Sequence, residues 1–165
     1  MDIGMIGLGR MGANMTVRLL QGGHRVVVSD LSAEAVAASV AEGAVGAASL
    51  GELVEKLPPR RAIWMMVPAG APVDSTIAQL TPLLAKGDVL IDGGNSNYHD
   101  SVRRAETVAA SGIEYVDSGT SGGIWGLKEG YCLMVGGSDD AVSFVEPVLK
   151  TLAPPDGYAH VGPSG

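Results

Sequence analysis

At 165 residues and 46% hydrophobic content, the chain is long enough to bury one sizeable core, and a single domain is the default expectation. Its net charge of −7, with acidic and basic residues interspersed, argues against nucleic-acid and anionic-membrane surfaces. The start Met1-Asp2-Ile3-Gly4 carries no basic leader, no apolar run reaches the ~18 residues that span a bilayer, and the lone Cys132 has no disulfide partner, all of which point to a cytoplasmic protein.

The first apolar run, near 3–6, reads as a strand and opens onto Gly7-Leu8-Gly9-Arg10-Met11-Gly12. In this G-x-G-x-x-G spacing, glycine serves the tight turn at Gly7, close approach to a pyrophosphate at Gly9 and helix–strand packing at Gly12. With 24 glycines in the chain the spacing alone is a weak signal, and its context strengthens it. A helix over 10–21, with Met11, Met15, Leu19 and Leu20 on one face, aims its free N–H groups and positive dipole end at that phosphate, then ends at Gly22-Gly23. A second strand, 25–29, ends in Ser29-Asp30. Asp30 lies about 18 residues beyond Gly12, close to the roughly 20-residue offset at which a carboxylate receives the adenine-ribose hydroxyls. The 2′-phosphate of NADP would set two negative charges side by side there. Leu31 offers that phosphate no guanidinium, although Arg10 is a substitute, so NAD is the expected cofactor. Asp30 also reads as a turn or N-cap residue ahead of the helix begun by Ser32-Ala33-Glu34, and both roles can hold at once.

Beyond Asp30 the alternation continues with helix 33–41, strand 44–47, helix 49–56, strand 61–67, helix 71–85, strand 88–92, helix 98–111, strands 113–117 and 131–135, and helix 139–152. Breaks fall at Pro58-Pro59, Gly87-Asp88, Gly112, Gly136-Gly137 and Pro154-Pro155. The pattern predicts an α/β fold of Rossmann type, a doubly wound, mostly parallel sheet with helices on both faces, whose ligands bind at the carboxyl ends of the strands. The loops expected there are Met66-Val67-Pro68-Ala69-Gly70, Asp92-Gly93-Gly94-Asn95-Ser96 and Ser118-Gly119-Thr120-Ser121-Gly122-Gly123. Asn95 can donate and accept without bringing charge near a nicotinamide; its competing reading is an Asx turn capping the helix near Asp100. The third loop contains G-x-S-x-G, but a nucleophile elbow needs a strand leading straight into a helix, and Gly122-Gly123-Ile124-Trp125-Gly126 is a poor helix start. Its hydroxyl and backbone N–H groups suit a carboxylate or hydroxyl of a small polar substrate.

Among the remaining candidates, Cys132 reads as a buried strand residue and Trp64 as core, while Trp125 is open between packing and covering the site mouth. His24, His99 and His160 lie far apart and predict no metal site. Lys56, Lys86 and Lys150 read as solvated, and Lys128, near the third loop, is not expected to act as a base.

GLGRMGANM, WMMVPAG, DGGNSNY at Asp92 to Tyr98, SGTSGG, and GYCLMVGG at Gly130 to Gly137 together resemble the N-terminal domain of the 6-phosphogluconate dehydrogenase family, over essentially the whole chain. β-Hydroxyacid dehydrogenases, related proteins, usually show an Asp-x-Ser-Thr type of loop where this chain has DGGNS. The resemblance implies that residues 1–165 form the NAD-binding Rossmann domain of an oxidoreductase that oxidises and decarboxylates 6-phosphogluconate to ribulose 5-phosphate, without metal. Gly7, Leu8, Gly9, Arg10, Met11, Gly12, Asp30, Leu31, Ser32, Val67, Pro68, Ala69 and Asn95 would line the cofactor site. Asn95, Ser121, Gly122 and Gly123 would contact the sugar-acid phosphate. Asp30-Leu31-Ser32 stands where NADP-using members have Asn-Arg-Thr, as in the NAD-preferring bacterial branch. The family's general-base lysine, His-Asn pair and Glu are expected beyond Gly165, in a segment following a junction motif, so no catalytic residue is expected within the 165 residues. The helical C-terminal domain that closes the phosphate site and builds a homodimer is likewise expected to lie outside them. The alternatives are a freestanding NAD-binding module without turnover, and a β-hydroxyacid dehydrogenase or imine reductase domain.

Overall fold

The apolar triplets spaced along the chain become neighbours in one sheet. The computed structural model describes residues 1–165. Its strands are β1 (Asp2–Ile6), β2 (Arg25–Ser29), β3 (Val45–Gly46), β4 (Ala62–Met65), β5 (Val89–Asp92), β6 (Glu114–Ser121), β7 (Cys132–Gly136) and β8 (Tyr158–Gly162). They lie in the order β3-β2-β1-β4-β5-β6-β7-β8. The first six run parallel, β7 turns antiparallel to β6, and β8 pairs parallel with β7. The strand order reverses between β1 and β4, which opens a crevice above their carboxyl ends.

Seven helices cover this sheet: α1 (Arg10–Gln21), α2 (Ala33–Ala41), α3 (Leu50–Glu55), α4 (Ala71–Leu80), α5 (Tyr98–Ala109), α6 (Gly126–Glu129) and α7 (Asp139–Leu152). Successive strand residues point to opposite faces, so strands covered on both sides must be apolar throughout. Val26, Val28, Trp64 and Ile91 pack with Met15 and Leu19 of α1 and Val145, Val148 and Leu149 of α7. Val27, Ile63, Met65 and Leu90 face the other way, against Leu53 of α3, Val73 and Ile77 of α4 and Val108 of α5. Both layers are fully buried, and Trp64 is core, as expected. No helix is long and apolar enough to cross a membrane.

The expected doubly wound sheet therefore forms, with differences in detail. Helix 71–85 stops at Leu80 and tightens into a 3₁₀ turn over Thr81–Leu83, because Pro82 has no N–H to continue the ladder. Ser118 to Ser121, expected as loop, extend β6 by pairing with Cys132 to Val135, so polar residues are held in strand geometry by a partner that composition does not reveal. β8 carried no periodic signal and forms on the edge that β7 offers. A 3₁₀ turn (Gly123–Trp125) and α6 follow Gly122, at a place read as a poor helix start. Cys132 lies on β7 but is exposed, because the helices opposite do not reach the face that it shares with Met134. Lys56, expected to be solvated, bonds the Gly46 carbonyl and Glu52.

Tyr131 sits beneath α6, where a methyl on Gly126 would collide with its ring, and its hydroxyl is the buried side-chain polar atom left without a partner. A buried unpartnered hydroxyl costs about 1–3 kcal/mol. Tyr131→Phe is therefore expected to raise the melting temperature by about 2–4 °C for each kcal/mol recovered. Thermal unfolding followed by circular dichroism checks this, and a lower melting point would refute it.

Candidate functional site

At the end of β1 three glycines do three different jobs. Gly7 turns at φ +91°, and a methyl on it would strike the Met66 carbonyl. A methyl on Gly12 would strike the Gly7 carbonyl and come within 3.3 Å of the Met66 side chain, so α1 lies directly on the strand ends. Gly9 has nothing within 4 Å of where its Cβ would be, and its φ of −60° suits any residue. Neither the fold nor the conformation calls for glycine here, and the space beside Gly9 is open. Gly9 caps α1 without a side-chain hydrogen bond, which leaves the first-turn N–H groups free for an anion.

At the end of β2 the Asp30 carboxylate is held by two backbone donors. Leu8 N–H reaches one oxygen at 2.6 Å and Ser32 N–H the other at 2.8 Å. Ser32 itself caps α2 by accepting from Ala35 N–H, so the cap and the Asp30 turn are both present and belong to different residues. Leu31 beside it is fully exposed.

A cleft of about 1330 Å³ joins these features above β2, β1, β4 and β5. Of the expected cofactor residues, Gly7, Gly9, Arg10, Met11, Gly12, Asp30, Leu31, Val67, Pro68 and Asn95 line it. Leu8, Ser32 and Ala69 do not; Leu8 and Ser32 act through the N–H groups that hold Asp30. Sequence reasoning missed the opposite wall, formed by Ala48 to Gly51 and by Pro72, Ser75, Thr76, Gln79 and Leu83. The i, i+3, i+4, i+7 spacing of Pro72, Ser75, Thr76 and Gln79 marks one face of α4 and was the available signal.

The 92–96 loop closes the other end. Gly93 lies so close to Trp64 and Met66 that a side chain would not fit, and Gly94 would meet the Val67 carbonyl at 2.8 Å. Asn95 adopts φ +55°, and its amide pairs with the β6 backbone, accepting from Thr120 N–H at 2.8 Å and donating to the Thr120 carbonyl at 3.0 Å. The cap of α5 is Asn97, not Asn95. Asp92 organises the loop, accepting from Gly94 N–H, the Ser96 hydroxyl and the Tyr115 hydroxyl. Burial, and then the Asp92 carboxylate beside it, push the Tyr115 phenol well above its ordinary range. Ser121, Gly122 and Gly123 begin one residue beyond Thr120, outside the cleft lining but beside Asn95. Trp125 is exposed and lines no part of the cleft, and Lys128 is exposed beside Glu129. His160 Nε2 donates to the Gly137 and Gly162 carbonyls, away from Ser121, so no nucleophile elbow is assembled.

Gly165, the position beyond which the lysine and glutamate are expected, lies outside the cleft lining. It is held instead on the far side of β6. Its N–H donates to Asp117 Oδ1 at 2.9 Å, and at φ +88° it packs so closely on Val102 and the Tyr98 carbonyl of α5 that a side chain would not fit. Ser164 beside it donates from its hydroxyl to the Tyr115 carbonyl.

The family model described as "NAD binding domain of 6-phosphogluconate dehydrogenase" matches residues 2–162. An NAD(+)-dependent, decarboxylating 6-phosphogluconate dehydrogenase of Haloferax volcanii is 50% identical over 166 residues, covering all of this chain and 54% of that protein. The chain spans about half the length, or less, of the curated relatives it matches. Among solved structures, 6-phosphogluconate dehydrogenase of Plasmodium falciparum, described in apo form and in complex with NADP+ and with 6-phosphogluconate, superposes with a TM-score of 0.91. It is 31% identical and is matched over 99% of this chain and 37% of that one. 3-Hydroxyisobutyrate dehydrogenase of Mycobacterium tuberculosis superposes with a TM-score of 0.89 at 26% identity, over 99% of this chain and 55% of that one.

The glycine geometry separates binding from folding. Gly9→Ala is expected to melt within about 2 °C of the parent chain, since the poorer cap is offset by the smaller conformational entropy of alanine in the unfolded chain at a φ that alanine adopts freely, yet to weaken dinucleotide binding at least about tenfold by filling the approach to the phosphate. Gly12→Ala is expected to lower stability by about 1–3 kcal/mol through overpacking. Thermal unfolding with calorimetric titration checks both, and undiminished affinity in Gly9→Ala would remove the phosphate cradle from that position.

Proposed function

The chain belongs to the family of NAD-binding domains of 6-phosphogluconate dehydrogenase, and from that premise we propose that its cleft takes NAD in preference to NADP and serves the oxidative decarboxylation of 6-phosphogluconate to ribulose 5-phosphate. The observation that carries this reading is the Asp30 carboxylate, fixed by Leu8 and Ser32 N–H groups and standing at one end of a continuous cleft whose other end is Asn95. β2 and β5 are three strand spacings apart in the sheet, roughly 14 Å, a span that suits an extended dinucleotide.

The residues present fit such a ligand. Free N–H groups at the start of α1 receive the pyrophosphate over Gly9, and both oxygens of Asp30 retain lone pairs for the ribose hydroxyls. Val67 and Pro68 supply an apolar wall for the nicotinamide half, which Asn95 flanks without adding charge. When bound, NAD supplies the hydride acceptor. Asn95, Ser121, Gly122 and Gly123 take the sugar acid, with the remaining Asn95 N–H and the Ser121 hydroxyl as donors. The Haloferax volcanii relative is itself NAD(+)-dependent.

The cleft contains two charged residues, Arg10 and Asp30, and neither can act as a base at the nicotinamide end. A positioned base is worth roughly 10²–10⁴-fold. In this proposal the base, the acid and the contacts that make a homodimer come from chain beyond these 165 residues, in a cytoplasmic enzyme.

Calorimetry with NAD and NADP is expected to show tighter binding of NAD, and the double change Asp30→Asn with Leu31→Arg to move the preference toward NADP by relieving repulsion and adding a phosphate partner. Equal affinities for the parent chain would remove the ribose role from Asp30. The chain mixed with NAD and 6-phosphogluconate is expected to bind cofactor without forming NADH. Steady-state NADH production would show that a residue of this chain serves as base.

A further inference from the structure

The loops that flank the proposed nicotinamide end, 66–70 and 92–96, follow different strands, β4 and β5, and both line the cleft. They meet directly where Gly94 packs on the Val67 carbonyl, and a second tie joins them from beneath. Arg104, on α5, has a side chain only 1% exposed, although its neighbour Arg103 is half in solvent. Each of its five N–H donors has a partner. Nε donates to Asp74 Oδ1 at 2.9 Å, and Nη2 donates to Asp74 Oδ2 at 3.3 Å and to the Gly70 carbonyl at 3.1 Å. Nη1 donates to Ser96 Oγ at 3.0 Å and to Asp92 Oδ2 at 3.4 Å. One half of the fork thus grips the start of α4, directly after Val67-Pro68-Ala69, and the other half grips the loop that carries Asn95.

Asp92, which Arg104 contacts, gathers further donors from the same loop and from β6. Tyr115 and Ser96 hydroxyls both donate to Asp92 Oδ2, and Gly94 N–H donates to Oδ1. Asn95 is left in a positive-φ conformation with its amide clamped on Thr120. A planar, always-charged fork can span two loops in this way, whereas a point charge cannot. Resting on the reading of the cleft as a dinucleotide site, we propose that Arg104 is a positioning residue: it ties the 66–70 and 92–96 loops together and so sets the width of the nicotinamide subsite, without touching the ligand.

The proposal separates the two halves of the ligand, because the adenosine and pyrophosphate contacts at Gly9, Arg10 and Asp30 involve neither loop. The 165-residue chain and its Arg104→Lys variant are titrated with NADH and with ADP-ribose, which lacks the nicotinamide. Arg104→Lys retains the charge but loses the fork, and NADH is expected to bind about tenfold more weakly while ADP-ribose stays within about twofold. The fluorescence maximum of bound NADH is expected to shift toward that of free NADH. Tyr115→Phe, which removes one donor from Asp92 and leaves the guanidinium intact, is expected to show the same selective loss at about threefold. It decides the matter if Arg104→Lys does not fold. Equal weakening of both ligands in a folded variant, or no change in either, overturns the proposal. If the parent chain binds neither ligand, the dinucleotide reading itself fails and this inference falls with it.

Discussion

The cleft depends on how closely α1 can lie against the ends of β1 and β4. Gly12 rests on the Gly7 carbonyl, Gly7 rests on the Met66 carbonyl, and no methyl group fits at either contact. Because Met15 and Leu19 lock the rest of α1 into the core, a wedge at this junction would displace the helix start together with its N–H groups. The same junction sets the height of the 66–70 loop, since Met66 N–H bonds to the Ile6 carbonyl. Gly93 then packs on Trp64 and Met66, which carries the constraint one strand further to Asn95.

The distribution of helix caps follows from this geometry. α2, α3, α5 and α7 begin at Ser or Asn residues whose side chains accept a backbone N–H. α1 and α4 begin at Gly9 and Gly70, with no such bond. Because glycine is itself a fair N-cap, each omission costs only a few tenths of a kcal/mol. The single-turn α6, beginning at Trp125, is uncapped too and lies outside the cleft, whereas α1 and α4 line it, and at α1 the omission leaves donors for an anionic ligand. Charge is managed in the opposite way under the 92–96 loop. Asp92 and Arg104 are each 1% exposed, a placement that is unfavourable unless every donor and acceptor finds a partner. The Asp74, Ser96, Tyr115 and Gly70 groups provide those partners, and the loop inherits their rigidity.

Much of this was legible in the chain. Short apolar runs alternating with amphipathic helices specify a parallel sheet covered on both faces, and the glycine spacing after the first strand marks where a phosphate fits. The place of Asp30 at the end of the second strand was legible from its offset, and the turn that it makes and its position in the cleft lining are both present in the fold. The carboxyl end of β6 was not. Ser118 to Ser121 have a loop-like composition and become strand because β7 offers an antiparallel partner. Cys132 looked buried because an apolar run does not disclose that helices cover only one of its faces.

Local pattern determined most of the elements, their alternation and the residue types that stand at the carboxyl ends of the strands. These are properties of neighbours in sequence, for which the side-chain period and backbone conformational limits are decisive. The tertiary structure decided which distant groups share a hydrogen bond. Arg104 reads as one of two adjacent arginines on a helix, and only packing shows that one points to solvent while the other is buried between Asp74 and Asp92. The α4 face, the β8 edge, the seat of Gly165 on Asp117 and the Asn95 clamp on Thr120 are of the same kind. Each exists because chain segments far apart in sequence supply the partner, and a buried polar group takes whichever partner the fold brings within about 3 Å.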